Sequence, residues 1–180
     1  MEYLTRIDLP ADRAAYRAVL DHSAYARRSL PLVLDRGQLL SCHAAVDRAA
    51  MTAHLAHHWP ALVPWLSGTI AADADPEVST ALRQFRNSVL LAIMARDLAG
   101  LSDLDENLLS ITSLAEMSLG IGYRAVAYQM QQRHGVPCRP DGRPVDLLVV
   151  GMGKLGGQEL NASSDIDLIY VIAEEGETTG

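Results

Sequence analysis

The chain changes character at Pro140–Pro144, a stretch of proline, glycine and charged residues that separates two kinds of sequence. Before it, apolar residues recur at the spacing of amphipathic helices. After it come short aliphatic runs that are bounded by glycine and typical of β-strands. This switch predicts an α+β fold, with a mainly helical region over residues 1–140. Residues 141–180 would then carry the first two strands of an incomplete sheet.

Long helices are predicted from apolar periodicity and from residues that begin or end helices. Asp75 followed by Pro76 predicts a capped helix start, and Gly100 predicts the end of the same helix. Similar signals place the start of the last helix between Ser102 and Asp105. The predicted spans are Ala11–Leu30, Gly37–Trp59, residues 75–100 and residues 102–134.

Two strands are predicted after the change of character. Val145–Val150 is a short aliphatic run, and Ile166–Ile172 is a second one. Between them, Gly151–Gly157 predicts a glycine-rich turn and Gln158–Leu160 at most a short helix. Because both strands are apolar on each face, we expect them to be buried in a larger sheet, and the chain to be a fragment of a longer protein.

Composition argues against several classes of function. A formal net charge of −7 disfavours a large nucleic-acid interface, which normally needs a basic face. No apolar run approaches the ~18 residues of a membrane helix, and the first residues lack the pattern of a signal peptide. Cys42 and Cys138 match no metal or redox spacing, which predicts reduced thiols. These features predict a cytoplasmic protein without nucleic-acid or membrane partners.

Asp165 and Asp167 are the strongest candidates for chemistry. Residues two apart on a strand share a face, so the predicted second strand would place both carboxylates on the same side. Two like charges at the edge of an apolar strand are costly unless a cation neutralises them, and Mg²⁺ prefers carboxylate oxygens. The alternative is that both aspartates simply belong to a turn that leads into the strand.

The glycines before these aspartates predict a phosphate-binding turn. Gly156 and Gly157 allow the backbone to approach a phosphate closely, so a turn followed by paired carboxylates makes one coherent site. A competing pattern overlaps it, because Gly151, Gly153 and Gly156 have the spacing of a dinucleotide-binding fingerprint, with Glu174 about 20 residues further on. That fingerprint requires a helix through adjacent glycines, which are poor helix formers, and it leaves the two aspartates unexplained.

Two further groups of polar residues are weaker candidates. His54 and His58 stand four residues apart on a predicted helix, with His57 between them, and this spacing can bind a transition metal. No third ligand type stands nearby, so an exposed or packed helix face is the preferred interpretation. Surface charge is preferred in the same way for three arginines of the next helix: Arg83, Arg86 and Arg96.

The segment from Gly151 to Ile169 resembles a known signature. Its residues, Gly-Met-Gly-Lys-Leu-Gly-Gly-Gln-Glu-Leu-Asn-Ala-Ser-Ser-Asp-Ile-Asp-Leu-Ile, are similar to the motif of the glutamine synthetase adenylyltransferase/adenylyl-removing enzymes. That family belongs to the polymerase-β-like nucleotidyltransferases. The resemblance reaches back to about Pro76, because the helical stretch there looks like the region before that domain, and the first 75 residues are compatible but less diagnostic. The residues around Glu159–Asn161 resemble the N-terminal one of the two catalytic domains of the family.

The resemblance implies a role in nitrogen regulation. The N-terminal domain of the family is associated with deadenylylation, in which phosphate attacks the adenylyl-tyrosine of glutamine synthetase and releases ADP. Asp165 and Asp167 would hold Mg²⁺ and serve as the catalytic residues. The residues that would bind the nucleotide are Gly156, Gly157, Ser164 and Lys154. The implied partners are glutamine synthetase, the PII signal protein, ATP or ADP, and phosphate.

The resemblance also implies a third carboxylate on a later strand that this sequence does not contain. The isolated chain is therefore expected to have little or no turnover. Two other functions stay open at this point: a dinucleotide-binding oxidoreductase fragment and a non-catalytic helical interaction module. Mg²⁺-dependent binding of ATP or ADP would favour the nucleotidyltransferase, and metal-independent binding of NAD would favour the oxidoreductase.

Overall fold

The computed structural model describes residues 2–179, which form a helical body followed by two small antiparallel sheets, so the predicted α+β class is confirmed. Single 3₁₀ turns occupy Glu2–Arg6 and Pro60–Leu62. The helices are α1 Pro10–His22, α2 Ala24–Asp35, α3 Arg48–His58, α4 Val63–Ser67, α5 Ser79–Leu98, α6 Leu104–His134 and α7 Gly153–Gly156. The strands are β1 Pro137–Cys138, β2 Leu147–Gly151, β3 Leu168–Ile172 and β4 Glu177–Thr178. Within residues 2–179, no helix combines the length and the apolar character that a membrane span requires.

Helix α5 lies at the centre of the helical body and packs against α1, α2 and α6. Its buried side chains include Phe85, Val89, Leu91 and Ile93. Burial of one such side chain contributes about 1.5–3 kcal/mol, so these contacts are what hold the neighbouring helices to α5. The surrounding helices add to the same core Tyr16, Leu30, Leu55 and Met117.

The first predicted helix, Ala11–Leu30, is in fact the two helices α1 and α2. Ser23 between them has an extended backbone, with φ −126° and ψ 117°, and its Oγ accepts from the Ala26 backbone N–H at 3.2 Å. The predicted end at Leu30 is also wrong, because α2 continues through Pro31 to Asp35. A serine that caps a new helix competes locally with continuation of the old one, and here the cap is formed.

The second predicted helix, Gly37–Trp59, is wrong over its first half, because α3 covers only the second half. Residues 38–46 are irregular, and side chains from the body satisfy some of their backbone groups. The Asp12 carboxylate, only 3% exposed, accepts from the Cys42 backbone N–H at 3.1 Å and from its thiol at 3.2 Å. Such bonds from distant residues replace the helical bonds that the local pattern predicts.

Arg96 lies beneath the same irregular segment and is 5% exposed, which corrects its interpretation as surface charge. Its guanidinium donates to the carbonyl oxygens of Cys42 at 2.9 Å and Leu101 at 2.8 Å, and it pairs with Glu106 at 2.7 Å. One planar guanidinium can satisfy several acceptors, so it joins the irregular segment to α6. Burial and the hydrogen bond to Asp12 raise the pKa of the Cys42 thiol to about 12, which makes this free thiol unreactive.

The two longest helices differ in how well local signals locate their first residues. Helix α6 begins as predicted, because the Asp103 carboxylate accepts from the Glu106 backbone N–H at 2.8 Å. Helix α5 begins later than predicted, at Ser79. The Asp75 carboxylate accepts from the Glu77 backbone N–H at 2.9 Å and closes a separate turn before the helix. An aspartate can form either structure, so the residue type alone does not decide between them.

Strands β2 and β3 form an antiparallel pair in which Leu147 lies opposite Ile172. Strands β1 and β4 form a second and shorter antiparallel pair. A dinucleotide-binding unit needs parallel strands joined by a crossover helix. The antiparallel pairing therefore contradicts the dinucleotide alternative.

The β2–β3 pair is more exposed than its apolar sequence predicts. Leu148 and Tyr170 each expose 61% of their surface within residues 2–179. The expected burial of both strands in a larger sheet stays a prediction. Helix α6 ends at His134 and β1 begins at Pro137. The division into two domains at residue 140 stays a prediction.

Candidate functional site

A cavity of about 1330 Å³ separates the β2–β3 pair from helix α6. One face of the pair, with Val149, Leu168 and Tyr170, lines the cavity opposite Tyr123 and Val126 of α6. Its volume exceeds the ~300–1,000 Å³ that is typical of small-molecule pockets. The cavity therefore has room for a nucleotide together with part of a second group.

One close backbone contact shapes the glycine turn that follows β2. A Cβ at Gly156 would lie only 2.5 Å from the Gly151 carbonyl oxygen, a separation that real Cβ atoms essentially never show. Gly157 is less constrained, because its Cβ would lie 3.4 Å from the Gly153 carbonyl oxygen. The turn contains α7, where no helix is predicted, and it is followed by Gln158 with φ 59°.

Asp165 and Asp167 both precede β3, which begins only at Leu168. The strand period therefore does not set their relative direction, which corrects the prediction that a strand places them on one face. Asp165 borders the cavity, whereas Asp167 lies against the glycine turn. The Met152 backbone N–H donates to the Asp167 carbonyl oxygen at 2.9 Å, and a Cβ at Gly153 would lie 3.8 Å from Asp167 Oδ2.

The carboxylates of Asp165 and Asp167 are exposed, and no residue in the range 2–179 pairs with either of them. Their oxygens are free to ligate a hard cation, and Mg²⁺ sites commonly use one or two carboxylates together with water and substrate phosphates. The described part of the chain holds no cluster of three or more His, Cys, Asp or Glu side chains that is suited to a metal. Carboxylate oxygens of this kind fit the ligand preference of Mg²⁺, and a shared ion at Asp165 and Asp167 stays a prediction.

Asn161 organises the tight turn that leads to Asp165. Its Oδ1 lies within hydrogen-bond distance of the Ser163 backbone N–H and hydroxyl, each at 3.1 Å, and of the Ser164 hydroxyl at 3.0 Å. Asn161 and Ser164 both border the cavity. The pattern Asn-x-Ser-Ser predicts such a turn, but nothing in it shows that the turn faces a cavity, so no functional role for Asn161 is predicted from the sequence.

Of the four residues that are predicted to bind the nucleotide, two line the cavity and two do not. Gly156 and Ser164 line the cavity, whereas Lys154 and Gly157 do not. Lys154 is exposed on α7. Arg86 of α5 is exposed as predicted and adds a positive charge to the cavity wall. The nucleotide-binding roles stay predictions.

The histidines of α3 belong to no group of three or more possible metal ligands within residues 2–179. His54 is buried, and its Nε2 lies 2.8 Å from the Ser88 hydroxyl oxygen. Because Ser88 donates its own proton to the Gln38 carbonyl oxygen, the proton of this bond belongs to His54 Nε2. Burial, followed by the charges of His58 and His57, lowers the pKa of His54 to about 4. His54 is therefore a neutral packing residue at ordinary pH.

The chain is similar to proteins of one family. A family model described as glutamate-ammonia ligase adenylyltransferase matches residues 37–180. Three relatives, each named bifunctional glutamine synthetase adenylyltransferase/adenylyl-removing enzyme, come from Bordetella pertussis, Shewanella loihica and Aromatoleum aromaticum. The first is 45% identical over 118 residues, which cover 64% of this chain and 12% of the relative. The second is 46% identical over 110 residues, covering 61% and 11%.

The third relative is 34% identical over 178 residues, which cover 96% of this chain and 18% of the relative. Similarity to this relative thus extends over nearly the whole chain, including the helical body. The chain spans less than one fifth of the length of each of these three relatives.

Proposed function

The chain belongs to the glutamate-ammonia ligase adenylyltransferase family, and from this premise we propose that it carries part of a nucleotidyl-transfer site that acts on glutamine synthetase. The observation that supports the proposal is the position of Asp165 and Asp167. Their carboxylates are exposed and free of partners within residues 2–179, and they lie beside a close-packed glycine turn and a large cavity. Carboxylates for a cation and space for a nucleotide therefore occur together.

The reaction that we propose is removal of the adenylyl group from the modified tyrosine of glutamine synthetase by phosphorolysis. An oxygen of inorganic phosphate forms a bond to the adenylyl phosphorus, while the bond between that phosphorus and the tyrosine oxygen breaks. The products are ADP and the tyrosine, whose oxygen takes the proton that the phosphate loses. The similarity of Gly151–Ile169 to the N-terminal catalytic domain of the family supports this direction over adenylylation.

Each residue of the proposed site has a separate task. Asp165 and Asp167 would hold Mg²⁺, which when bound neutralises charge on the phosphate oxygens. Gly156 would let the backbone approach a phosphate at the cavity, and Ser164 would offer its hydroxyl there. Gly157 would form the phosphate-facing turn together with Gly156. Lys154, which does not line the cavity, would reach a phosphate with its long side chain.

Residues outside this chain would complete the site. The β2–β3 pair exposes apolar side chains on both faces, and the relatives are much longer than this chain. We propose that further strands cover these faces and supply a third carboxylate, so that residues 1–180 alone have little turnover. The resemblance also implies that the complete protein binds ATP or ADP, is regulated by the PII signal protein and acts in the cytoplasm.

Removal of either aspartate tests the proposal. In the complete protein, Asp165→Asn and Asp167→Asn should each slow phosphorolysis at least about 100-fold, which corresponds to about 2.7 kcal/mol, because each removes one charged ligand of the cation. The measurement is release of ADP from adenylylated glutamine synthetase at saturating phosphate and Mg²⁺. The control Asp146→Asn removes another exposed carboxylate at the same cavity and should leave the rate within about twofold. A wild-type rate in Asp165→Asn would exclude this site.

A further inference from the structure

Asn161 has one polar group that its own turn does not use. The side-chain atom 3.1 Å from the Ser163 backbone nitrogen must be the oxygen Oδ1, because a backbone N–H can only donate. The hydroxyls of Ser163 and Ser164 approach the same oxygen. The amide nitrogen Nδ2 therefore lies on the opposite side of Cγ with two N–H donors, and no acceptor among residues 2–179 pairs with it.

This unused donor group belongs to a side chain that faces the candidate site. Asn161 is exposed and borders the cavity, as do Ser164 and Asp165. Since Oδ1 is turned back into the turn, Nδ2 is the polar group of the side chain that is left for the cavity. The bonds to Oδ1 hold the side chain in place, so little further conformational entropy is lost when a ligand accepts from Nδ2.

We infer that Asn161 is a further binding residue of this site and that its Nδ2 donates to a phosphate oxygen of the substrate. The inference rests on the proposed nucleotidyl transfer, because that reaction brings phosphate oxygens close to Asp165. Asp165 would act on these oxygens through the cation that it holds, and the neighbouring amide offers a direct donor to an oxygen that the cation leaves free. Two substrates can supply the acceptor oxygen, namely inorganic phosphate and the adenylyl group on tyrosine.

Asn161→Asp in the complete protein is the direct test. The aspartate keeps an acceptor oxygen for the turn but replaces the two N–H donors with a second acceptor. KM for inorganic phosphate or for adenylylated glutamine synthetase should rise at least about tenfold, the factor that corresponds to about 1.4 kcal/mol. The matched control is Asn87→Asp, the same substitution outside the cavity, where Oδ1 accepts from the Tyr25 hydroxyl at 2.9 Å. It should leave both KM values unchanged.

Two further variants distinguish the loss of the N–H donors from the effect of added charge and from a change in the shape of the turn. Asn161→Ser is neutral and can still accept from the Ser163 backbone N–H, so it should also raise KM because it lacks the amide. Ser163→Ala removes one bond to Oδ1 but leaves Nδ2, so its effect should be clearly smaller than that of Asn161→Asp. Unchanged KM in Asn161→Asp, unchanged KM in Asn161→Ser, or equal effects of Ser163→Ala and Asn161→Asp would each overturn the inference.

The kinetic pattern also tells the two phosphate sources apart. A higher KM for inorganic phosphate alone assigns the donor to the attacking phosphate, and a higher KM for adenylylated glutamine synthetase alone assigns it to the adenylyl group. If the wild-type protein shows no phosphorolysis, the proposed function fails, and calorimetric binding of ADP with Mg²⁺ becomes the readout. Weaker ADP binding by Asn161→Asp then supports the donor role without the reaction. Equal binding by the variant, or no binding by the wild type, overturns the donor role as well.

Discussion

Gly156→Ala should damage the candidate site through one steric contact. The added Cβ would lie 2.5 Å from the Gly151 carbonyl oxygen, and it must reach at least 3.0 Å to match the shortest contacts of real Cβ atoms. The neighbouring atom is backbone and cannot rotate away as a side chain can. The turn must therefore open by roughly half an ångström, the difference between these two distances.

The cost of this movement follows from the strain and from helix propensity. Overpacking costs about 1–3 kcal/mol, and a rigid backbone neighbour places this site near the upper end. Alanine is favoured over glycine within a helix by about 1 kcal/mol, and Gly156 is the last residue of α7. The net destabilisation of the turn is therefore about 2 kcal/mol. Because Met152 holds the Asp167 carbonyl oxygen, opening of the turn also displaces that aspartate.

Hydrogen exchange of the complete protein measures the local effect. Exchange of the peptide that covers residues 147–168 should quicken roughly 30-fold in Gly156→Ala, the factor that about 2 kcal/mol corresponds to. The adjacent Gly157→Ala is the matched control for stability, because its φ of −81° suits alanine and its Cβ would meet the Gly153 carbonyl oxygen at 3.4 Å. Exchange in this control should stay the same or slow slightly.

Equal exchange in Gly156→Ala and the wild-type protein would refute the steric reasoning. The same conclusion would follow if Gly157→Ala quickened exchange as much as Gly156→Ala, because any added methyl would then disturb the turn. Faster exchange in Gly156→Ala with an unchanged rate of phosphorolysis would show that the turn does not position Asp167 for the reaction.

Two predictions concern the helical body. Its stability should fall as the pH drops from about 6.5 towards about 4, because the unfolded chain takes up a proton at His54 that the buried imidazole resists. The free energy of unfolding should decrease by on the order of 3 kcal/mol at pH 4. In urea denaturation, His54→Gln should show a correspondingly smaller decrease between these pH values. An equal decrease in the variant would contradict the assignment. Arg96→Met should destabilise the protein by about 3–5 kcal/mol, since Glu106 and buried carbonyls lose their donor. The control Arg83→Met changes an exposed arginine of the same helix and should stay within about 0.5 kcal/mol, so equal losses would disprove the role of Arg96.

Helices whose ends depend on neighbouring residues were predictable from the sequence. Asp103 caps α6 through the Glu106 N–H, and Gly100 adopts φ +66° in the turn before it. Both interactions join residues a few positions apart, so the local sequence contains all the partners. Residues 38–46 were not predictable in this way, because their hydrogen bonds come from Asp12 and Arg96, which lie far away in the chain.

The candidate site also has features that the sequence predicts and features that it does not predict. A glycine turn followed by paired aspartates, together with the resemblance of this segment to the family signature, singles out Gly151–Asp167 as the candidate. The direction of each group does not follow, because β3 begins later than its apolar run and leaves Asp165 and Asp167 in a loop. The free donor of Asn161 likewise depends on which atom its turn engages.

Local spacing and residue chemistry are enough to predict the α+β class, to single out the two aspartates and to mark the glycine that the turn requires. Three other features depend on how the folded chain packs: α6 forms the wall opposite β2 and β3, Arg96 is buried, and Asp165 but not Asp167 lines the cavity. Those features arise where segments far apart in the chain meet, and burial or exposure there depends on the packing of whole helices. A periodic pattern specifies which face of an element is apolar, but it does not specify the partner of that face.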